Sequence, residues 1–317
     1  MKEQIISENS ADQRLDKYLS KALPSLPQSL MHKYLRLKRI KLNGKRAEAS
    51  TRLKCGDVLE LYINDEFFES SPRNDAFLHV SDVIDTVFED ENILLVNKPA
   101  GMVVHDDESG KADTLINRIK AHLYHSGEWD SADSPFAPSL CNRIDRNTQG
   151  IVIAAKNAEA LRIINEKIKQ REIDKYYLCL IHGTPKQRDG VLKNYLRRDT
   201  DEKRVFIERD RKDGALSAET EYHVIASKKN ISLVRCRLRT GRTHQIRAQF
   251  AATGHPLVGD TKYGTQAMNR GLPFKFQTLC SYKLVFSFKS DAGALEYLKG
   301  KSFEIKSIDF ADWFKSI

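Results

Sequence analysis

Helical periodicity opens the chain and strand-like alternation follows it. Between Arg14 and Leu23, the residues Leu15, Tyr18, Leu19 and Leu23 fall on one helical face, with Asp12 placed as an N-cap. Ser29 is placed to cap a second helix whose apolar positions are Leu30, Tyr34, Leu35 and Leu37. Ile40 to Lys45 then alternates into an Asn43-Gly44 turn, and Lys54 to Ile63 reads as a turn into a strand with Val58, Leu61 and Ile63 inward. Residues 65–80 mix acids, Ser, Pro and Asn without a period, as a linker does. Beyond them the pattern predicts strands: Ile93 to Val96, a Pro99-Ala100-Gly101 turn into another apolar strand, the β-branched run Ile151 to Ala155, the alternating Lys175 to Gly183, and Gly214 to Ile225 returning into a sheet.

Composition excludes several classes. The 317 residues are 40% hydrophobic and 30% charged, enough apolar surface for a sizeable core and too much for a disordered chain. The longest apolar runs, Ile93 to Val96 and Ile151 to Ala155, are far short of the roughly 20 residues that span a bilayer. The first residues lack the pattern of a secretory signal, so a cytoplasmic location is expected. Five cysteines, none in a C-x-x-C pair, read as small buried hydrophobes rather than disulfides or zinc ligands.

Charge sharpens the division. The formal net charge of +9 favours a polyanionic partner only weakly, but Met31 to Lys54 holds nine Lys or Arg residues and one acid. Ser81 to Gly110 reverses this, with eight acids (Asp106, Asp107 and Glu108 among them) and Lys98 as the only base. The expected division is therefore 1–64, a linker at 65–80, and 81–317.

Three segments carry candidate chemistry. Asn142-Arg143-Ile144-Asp145-Arg146-Asn147-Thr148-Gln149-Gly150 flanks a carboxylate with arginines and closes in a turn; by charge alone it is equally a salt-bridged turn. The Lys175 to Gly183 run carries Tyr176 and Tyr177 and is by itself an ordinary strand. Arg235 to Arg247 holds five arginines and no acid, and GHPLVGDTKYG follows from Gly254. Lys98-Pro99-x-Gly101 signals only a turn, and the charged segment Lys193 to Lys212 reads most simply as a surface hairpin, with contact to RNA as the secondary reading.

In order and spacing these segments resemble the RluA family of pseudouridine synthases, from about Val87 to Phe288, and Asp12 to Ile63 resembles an S4-like RNA-binding domain. Asn142 stands where the family usually has His. The resemblance implies an α+β protein: a small helical, basic RNA-binding domain, then a mixed, mainly antiparallel β-sheet catalytic domain with a central cleft. It implies an isomerase converting specific uridines to pseudouridine, with large-subunit ribosomal RNA as the expected substrate. The protein is expected to be monomeric, with no cofactor, metal or membrane. Asp145 is implied as the catalytic carboxylate, Arg247 as its ion-pair partner and Tyr177 as the aromatic wall that could assist proton removal from C5. Arg143 is implied in flipping the target, Ile246 in the apolar wall, Arg242 and His244 in substrate contact, and Lys33, Arg36, Lys38, Arg39 and Lys41 in gripping RNA. The five arginines of the third segment are expected around Asp145, with His244 in an RNA-facing strand. The rivals are a catalytically silent RNA-binding or ribosome-assembly protein, against which Asp145, Tyr177 and Arg247 speak, and a nuclease or zinc deaminase, whose motifs are missing.

Overall fold

Two hydrophobic clusters with no shared members separate the first 63 residues from the rest. The computed structural model describes residues 1–68, 75–105, 112–131, 135–199, 201–208, 210–211 and 213–317. Part of the expected linker, three acids of the acidic window (Asp106, Asp107, Glu108) and three positions of the charged hairpin segment lie outside the described residues.

The amino-terminal unit comprises β1 (Lys2–Ile5), α1 (Leu15–Ala22), α2 (Gln28–Arg36), β2 (Ile40–Leu42), β3 (Lys45–Arg46) and β4 (Val58–Leu61), with sheet order β1-β4-β2-β3. Leu15, Leu19, Leu35, Ile40, Leu59 and Leu61 form its dry centre. The Asn43-Gly44 signal is a turn between β2 and β3 with both residues at positive φ, 51° and 73°. Two expected caps are not caps. Arg14 and Pro27 occupy the N-cap positions, neither with a side-chain cap bond, and Ser29 lies inside α2. Asp12 sits at φ 61° and turns its carboxylate to Arg52 and to Arg162 of the second unit. Leu37, expected inward, follows the end of α2 and is exposed.

The second unit runs β5 (Thr86–Glu89), β6 (Ile93–Lys98), α3 (Leu115–His125), β7 (Ser139–Leu140), β8 (Gln149–Ala155), α4 (Ala158–Lys169), β9 (Ile173–His182), β10 (Asp189–Asp199), β11 (Arg204–Glu208), β12 (Leu216–Lys228), β13 (Ile231–Leu238), α5 (Gln245–Ala252), β14 (Leu279–Phe286), β15 (Ser302–Glu304) and α6 (Asp309–Ser316). One 11-stranded sheet has the order β11-β10-β12-β13-β9-β14-β8-β6-β5, with β7 on β8 and β15 on β14. Among the described residues only the β14–β8 pair is parallel, so the expectation of a mixed, mainly antiparallel sheet in an α+β chain holds. The expected strand after Gly101 does not form; the Val103 and Val104 carbonyls instead accept the first N–H groups of α3.

Period-two alternation positions the cleft. Ile151, Ile153 and Leu180 point into one cluster with α4 and α6. On the other face Leu94, Val96, Val152 and Ala154 pack with α3, while Tyr177, Cys179 and Ile181 pack with Ile246 and Phe250 of α5. The gap between these two clusters, over β8, β14 and β9, is where the candidate side chains meet.

Gly150 lets the parallel pair close beside it. At φ 130° it lies opposite Ser281, and a Cβ there would fall 2.5 Å from the Ser281 backbone N and O. Gly150→Ala is expected to lower stability by roughly 3 kcal/mol, from overpacking against an immobile backbone plus strain at positive φ. A urea midpoint equal to that of the wild type would refute this reading of the contact.

Candidate active site

A cavity of about 480 Å³ lies in that gap, lined among others by Asp145, Tyr177, Arg143, Arg242, His244, Ile246 and Arg247. A second of about 260 Å³ adjoins it and shares Asp145, His244 and Arg247. Asp145 occupies the loop between β7 and β8. Thr148 N–H donates to the Asp145 carbonyl (3.0 Å) to close the turn, and Asn142 Oδ1 accepts from Ile153 N–H (2.8 Å) to tie it to β8. Asn142 is thus a structural brace.

Lys98, which the sequence left as part of a simple turn, is the third tie. It is fully buried, and its ammonium donates to the carbonyls of Pro99 (2.8 Å), Met102 (2.9 Å) and Arg146 (2.9 Å). Burial pulls its pKa down to about 7; the Asp145 carboxylate acts in the opposite direction, and three carbonyl acceptors also favour the ammonium. Gly101 and Arg146 exchange two further bonds, 2.9 and 3.1 Å, so the Lys98 to Gly101 turn clamps the Asp145 loop.

Arg247 meets the carboxylate from α5. Its Nη1 donates to Asp145 Oδ2 at 3.0 Å, while Nε and Nη2 grip Asp260 at 2.7 and 3.0 Å. Arg247 is 7% exposed and Asp260 1%. Asp260, the acid of the GHPLVGDTKYG segment, therefore fixes the guanidinium in a bidentate fork that leaves one edge for Asp145. Lys262 and Tyr263 N–H groups also donate to Asp260 Oδ1, at 2.9 and 3.2 Å.

His244 does not lie in a strand. It is the N-cap residue of α5, at φ 52°, with Nδ1 2.9 Å from the Tyr263 hydroxyl and Nε2 3.7 Å from Asp145 Oδ2. The Tyr263 hydroxyl accepts Val205 N–H (2.9 Å) and keeps a proton to donate; where it donates to His244 Nδ1, the neutral imidazole carries its proton on the nitrogen facing Asp145. Burial lowers the His244 pKa, which favours that neutral form, although Asp145 acts in the opposite direction.

Tyr177 is 7% exposed and lines the cavity floor. Burial pushes its phenol up to about 12, so it holds its proton at neutral pH. Ile246, 3% exposed, forms apolar wall beside it. Arg143 is exposed at the rim, and Arg242 donates Nε to the Ser217 carbonyl (3.2 Å).

The five arginines do not converge on Asp145. Arg237 pairs with Asp174 (2.9 Å) and Glu221 (3.7 Å), and Arg239 with Glu221 (2.6 Å), acids from neighbouring strands that sequence spacing could not reveal. Arg242 and Arg247 are the members that line the cavity. On the amino-terminal unit, Lys33, Arg36, Lys38 and Arg39 are exposed and Lys41 half-buried, and none of the five forms an ion pair among the described residues. Arg39 lies over the Tyr34 ring (5.6 Å) and Lys41 over Tyr62 (5.0 Å). Among the described residues, no group of three or more His, Cys, Asp or Glu is placed to hold a metal, and no helix is long and apolar enough to cross a membrane.

The sheet and its cleft have the fold of pseudouridylate synthases. The human RNA Pseudouridylate Synthase Domain Containing 4 superposes with a TM-score of 0.56 at 21% identity, covering 71% of this chain and 89% of that one. In sequence, the RNA pseudouridylate synthase family matches residues 92–252 and the S4 domain residues 13–59. An uncharacterised RNA pseudouridine synthase of Mycoplasma genitalium is 36% identical over 89% of this chain and 88% of its own length. The ribosomal large subunit pseudouridine synthase C of Escherichia coli K12 is 31% identical over 84% of this chain and 81% of its own. The chain belongs to the RNA pseudouridine synthase family, in its RluA-type branch with an amino-terminal S4 domain, and is an isomerase converting uridine to pseudouridine.

Proposed function

We propose that the chain isomerises uridines of large-subunit ribosomal RNA, with Asp145 as the catalytic carboxylate and without cofactor or metal. The observation that carries the chemical part is the Asp145–Arg247–Asp260 chain of bonds, which aims the Asp145 carboxylate into a cavity also lined by Ile246 and Tyr177. Making pseudouridine breaks the N1–C1′ bond, turns the uracil and bonds its C5 to C1′, with loss of the C5 proton. A carboxylate aimed by a guanidinium can attack the sugar or base, or remove a proton at the sugar. Tyr177 offers the uracil a stacking face and a phenol that donates; a group titrating near 12 is a poor resting base, which moves its role from proton removal to holding the ring. Ile246 closes the apolar side, and Arg143, Arg242 and His244 contact the strand whose target nucleotide has been flipped out.

The ribosomal substrate is supported by the resemblance to the E. coli large-subunit enzyme. In this reading residues 1–64 form the RNA-gripping domain, 65–80 the linker and 81–317 the catalytic domain of a cytoplasmic monomer. Lys33, Arg36, Lys38, Arg39 and Lys41 supply phosphate contacts. Mapping pseudouridines in ribosomal RNA from cells with and without the gene tests the substrate; identical large-subunit maps would reject it. Deleting residues 1–70 is expected to weaken binding to ribosomal RNA and to flatten the dependence of log K on log salt by about 0.7–0.9 for each phosphate that the deleted domain neutralises. A truncated protein as tight and as salt-sensitive as the whole would remove the gripping role.

A further inference from the structure

The cavity contains more positive charge than its chemistry uses. Asp145 is matched by Arg247, yet Arg143, Lys175, Arg198 and Arg242 also line the space, and none of these four meets a carboxylate among the described residues. Lys175 is the most telling. It is half-buried on β9, two positions before Tyr177 and therefore on the same face of the strand. Its cross-strand neighbours are Leu238 and Leu284, both apolar. The ionisable group nearest in influence is Cys141, whose thiol burial pushes up to about 12 and so leaves uncharged.

Other sequestered lysines are treated differently. Lys167 meets Glu172 at 2.8 Å, Lys156 meets Glu89 at 3.1 Å, and Lys98 meets three carbonyls. Keeping an ammonium half out of water without a counter-charge is costly, and burial does lower the Lys175 pKa. Such a site is completed by an anion from outside. Arg198 extends the same logic to the rim: its neighbour Arg197 is paired with Glu208 (3.2 Å), whereas Arg198 is exposed, unpaired among the described residues and turned to the cavity. It belongs to the β10–β11 hairpin, for which the sequence offers contact with RNA as the secondary reading beside a charged surface.

We propose that Lys175, on the cavity floor, and Arg198, on its rim, seat phosphodiester oxygens of the RNA strand entering the cleft. This rests on the reading of the cavity as the uridine site. The two cations set the path of the strand across Tyr177, and the hairpin becomes one wall of the substrate channel. Lys175 and Arg198 are positioning residues here, with no part in the bond changes.

The test uses the full-length protein and an unmodified large-subunit ribosomal RNA transcript, with binding measured across a series of KCl concentrations. Lys175→Gln and Arg198→Gln are each expected to weaken binding about tenfold near 0.1 M salt and to lower the slope of log K against log salt by about 0.7; the double variant lowers it by about 1.4. Lys175→Arg, which keeps the charge, is expected to retain the wild-type slope. In turnover, KM for the transcript rises with the Gln variants by about the binding ratio, while kcat falls less than twofold. Wild-type slopes in both Gln variants would overturn the proposal, as would a Lys175→Gln variant that binds normally but loses kcat, since that places Lys175 in the chemistry. Should Lys175→Gln melt early, Arg198→Gln, on an exposed side chain, decides alone. Because the slopes are read without turnover, a wild type that binds the transcript but never isomerises it defeats the functional reading and leaves the phosphate test standing.

Discussion

Arg247→Ala is expected to lower the melting midpoint by roughly 10 °C as well as to abolish turnover. The guanidinium is 7% exposed and the carboxylate it grips most fully, Asp260, is 1% exposed, so the substitution leaves a buried charge without its partner. Breaking a buried pair from one side costs about 3–5 kcal/mol, and each kcal/mol moves the midpoint of a domain this size by about 2–4 °C. The Lys262 and Tyr263 N–H groups that also donate to Asp260 keep the loss at the lower end of that range. Arg247→Lys keeps the charge but has no planar fork to reach both Asp260 oxygens and Asp145, so it recovers part of the stability and little of the activity. Adding Asp260→Asn to Arg247→Ala removes the stranded charge and is expected to raise the midpoint again. A melting curve for Arg247→Ala that overlays the wild type would refute the three-residue chain as a structural unit.

Asp145→Asn is expected to reduce turnover by at least about 10⁴-fold, on the scale seen when a reacting side chain is removed from an otherwise intact site. Shape is preserved, and Arg247 keeps Asp260, so the melting midpoint and RNA affinity stay close to wild type. That separation matters, because a variant that loses activity by unfolding says nothing about chemistry. A loss smaller than tenfold in single-turnover assays would take Asp145 out of the reaction.

The elements of this protein differ in how plainly the sequence announces them. Strands β6, β8 and β9 were visible because runs of β-branched and alternating residues are bounded by turn signals, and the Asn43-Gly44 turn because few other pairs accept positive φ at both positions. Helix α5 was not visible: Gln245 through Phe250 are all buried, so the polar-apolar period that marks a surface helix is missing. Its buried polar side chains are satisfied internally, as by the bond between Gln249 and Thr220 (2.6 Å), a requirement of packing that leaves no periodic trace. The caps failed for a related reason. Asp12 and Ser29 have capping chemistry, but Asp12 is held by Arg52 and Arg162 from distant parts of the chain.

For the site, the family resemblance of three motifs pointed to Asp145, Tyr177 and Arg247, and the structure brings all three to one cavity. Spacing could not give the pairing itself, since 102 residues separate Asp145 from Arg247. An isolated Asp after a Gly and a Lys before a Pro look like turn residues, so the roles of Asp260 and Lys98 arise only when three loops converge. The arginine-rich segment misled in the opposite direction, as cross-strand acids neutralise Arg237 and Arg239.

The central claim is that this cavity isomerises uridine through Asp145. It is tested most directly by tritium release from unmodified large-subunit ribosomal RNA carrying 5-³H-uridine, wild type against Asp145→Ala. Bonding C5 to C1′ expels the C5 hydrogen, so the account predicts release by the wild type, levelling off as target uridines are consumed, and background release by Asp145→Ala. Equal release from both proteins, or none from the wild type, would contradict it.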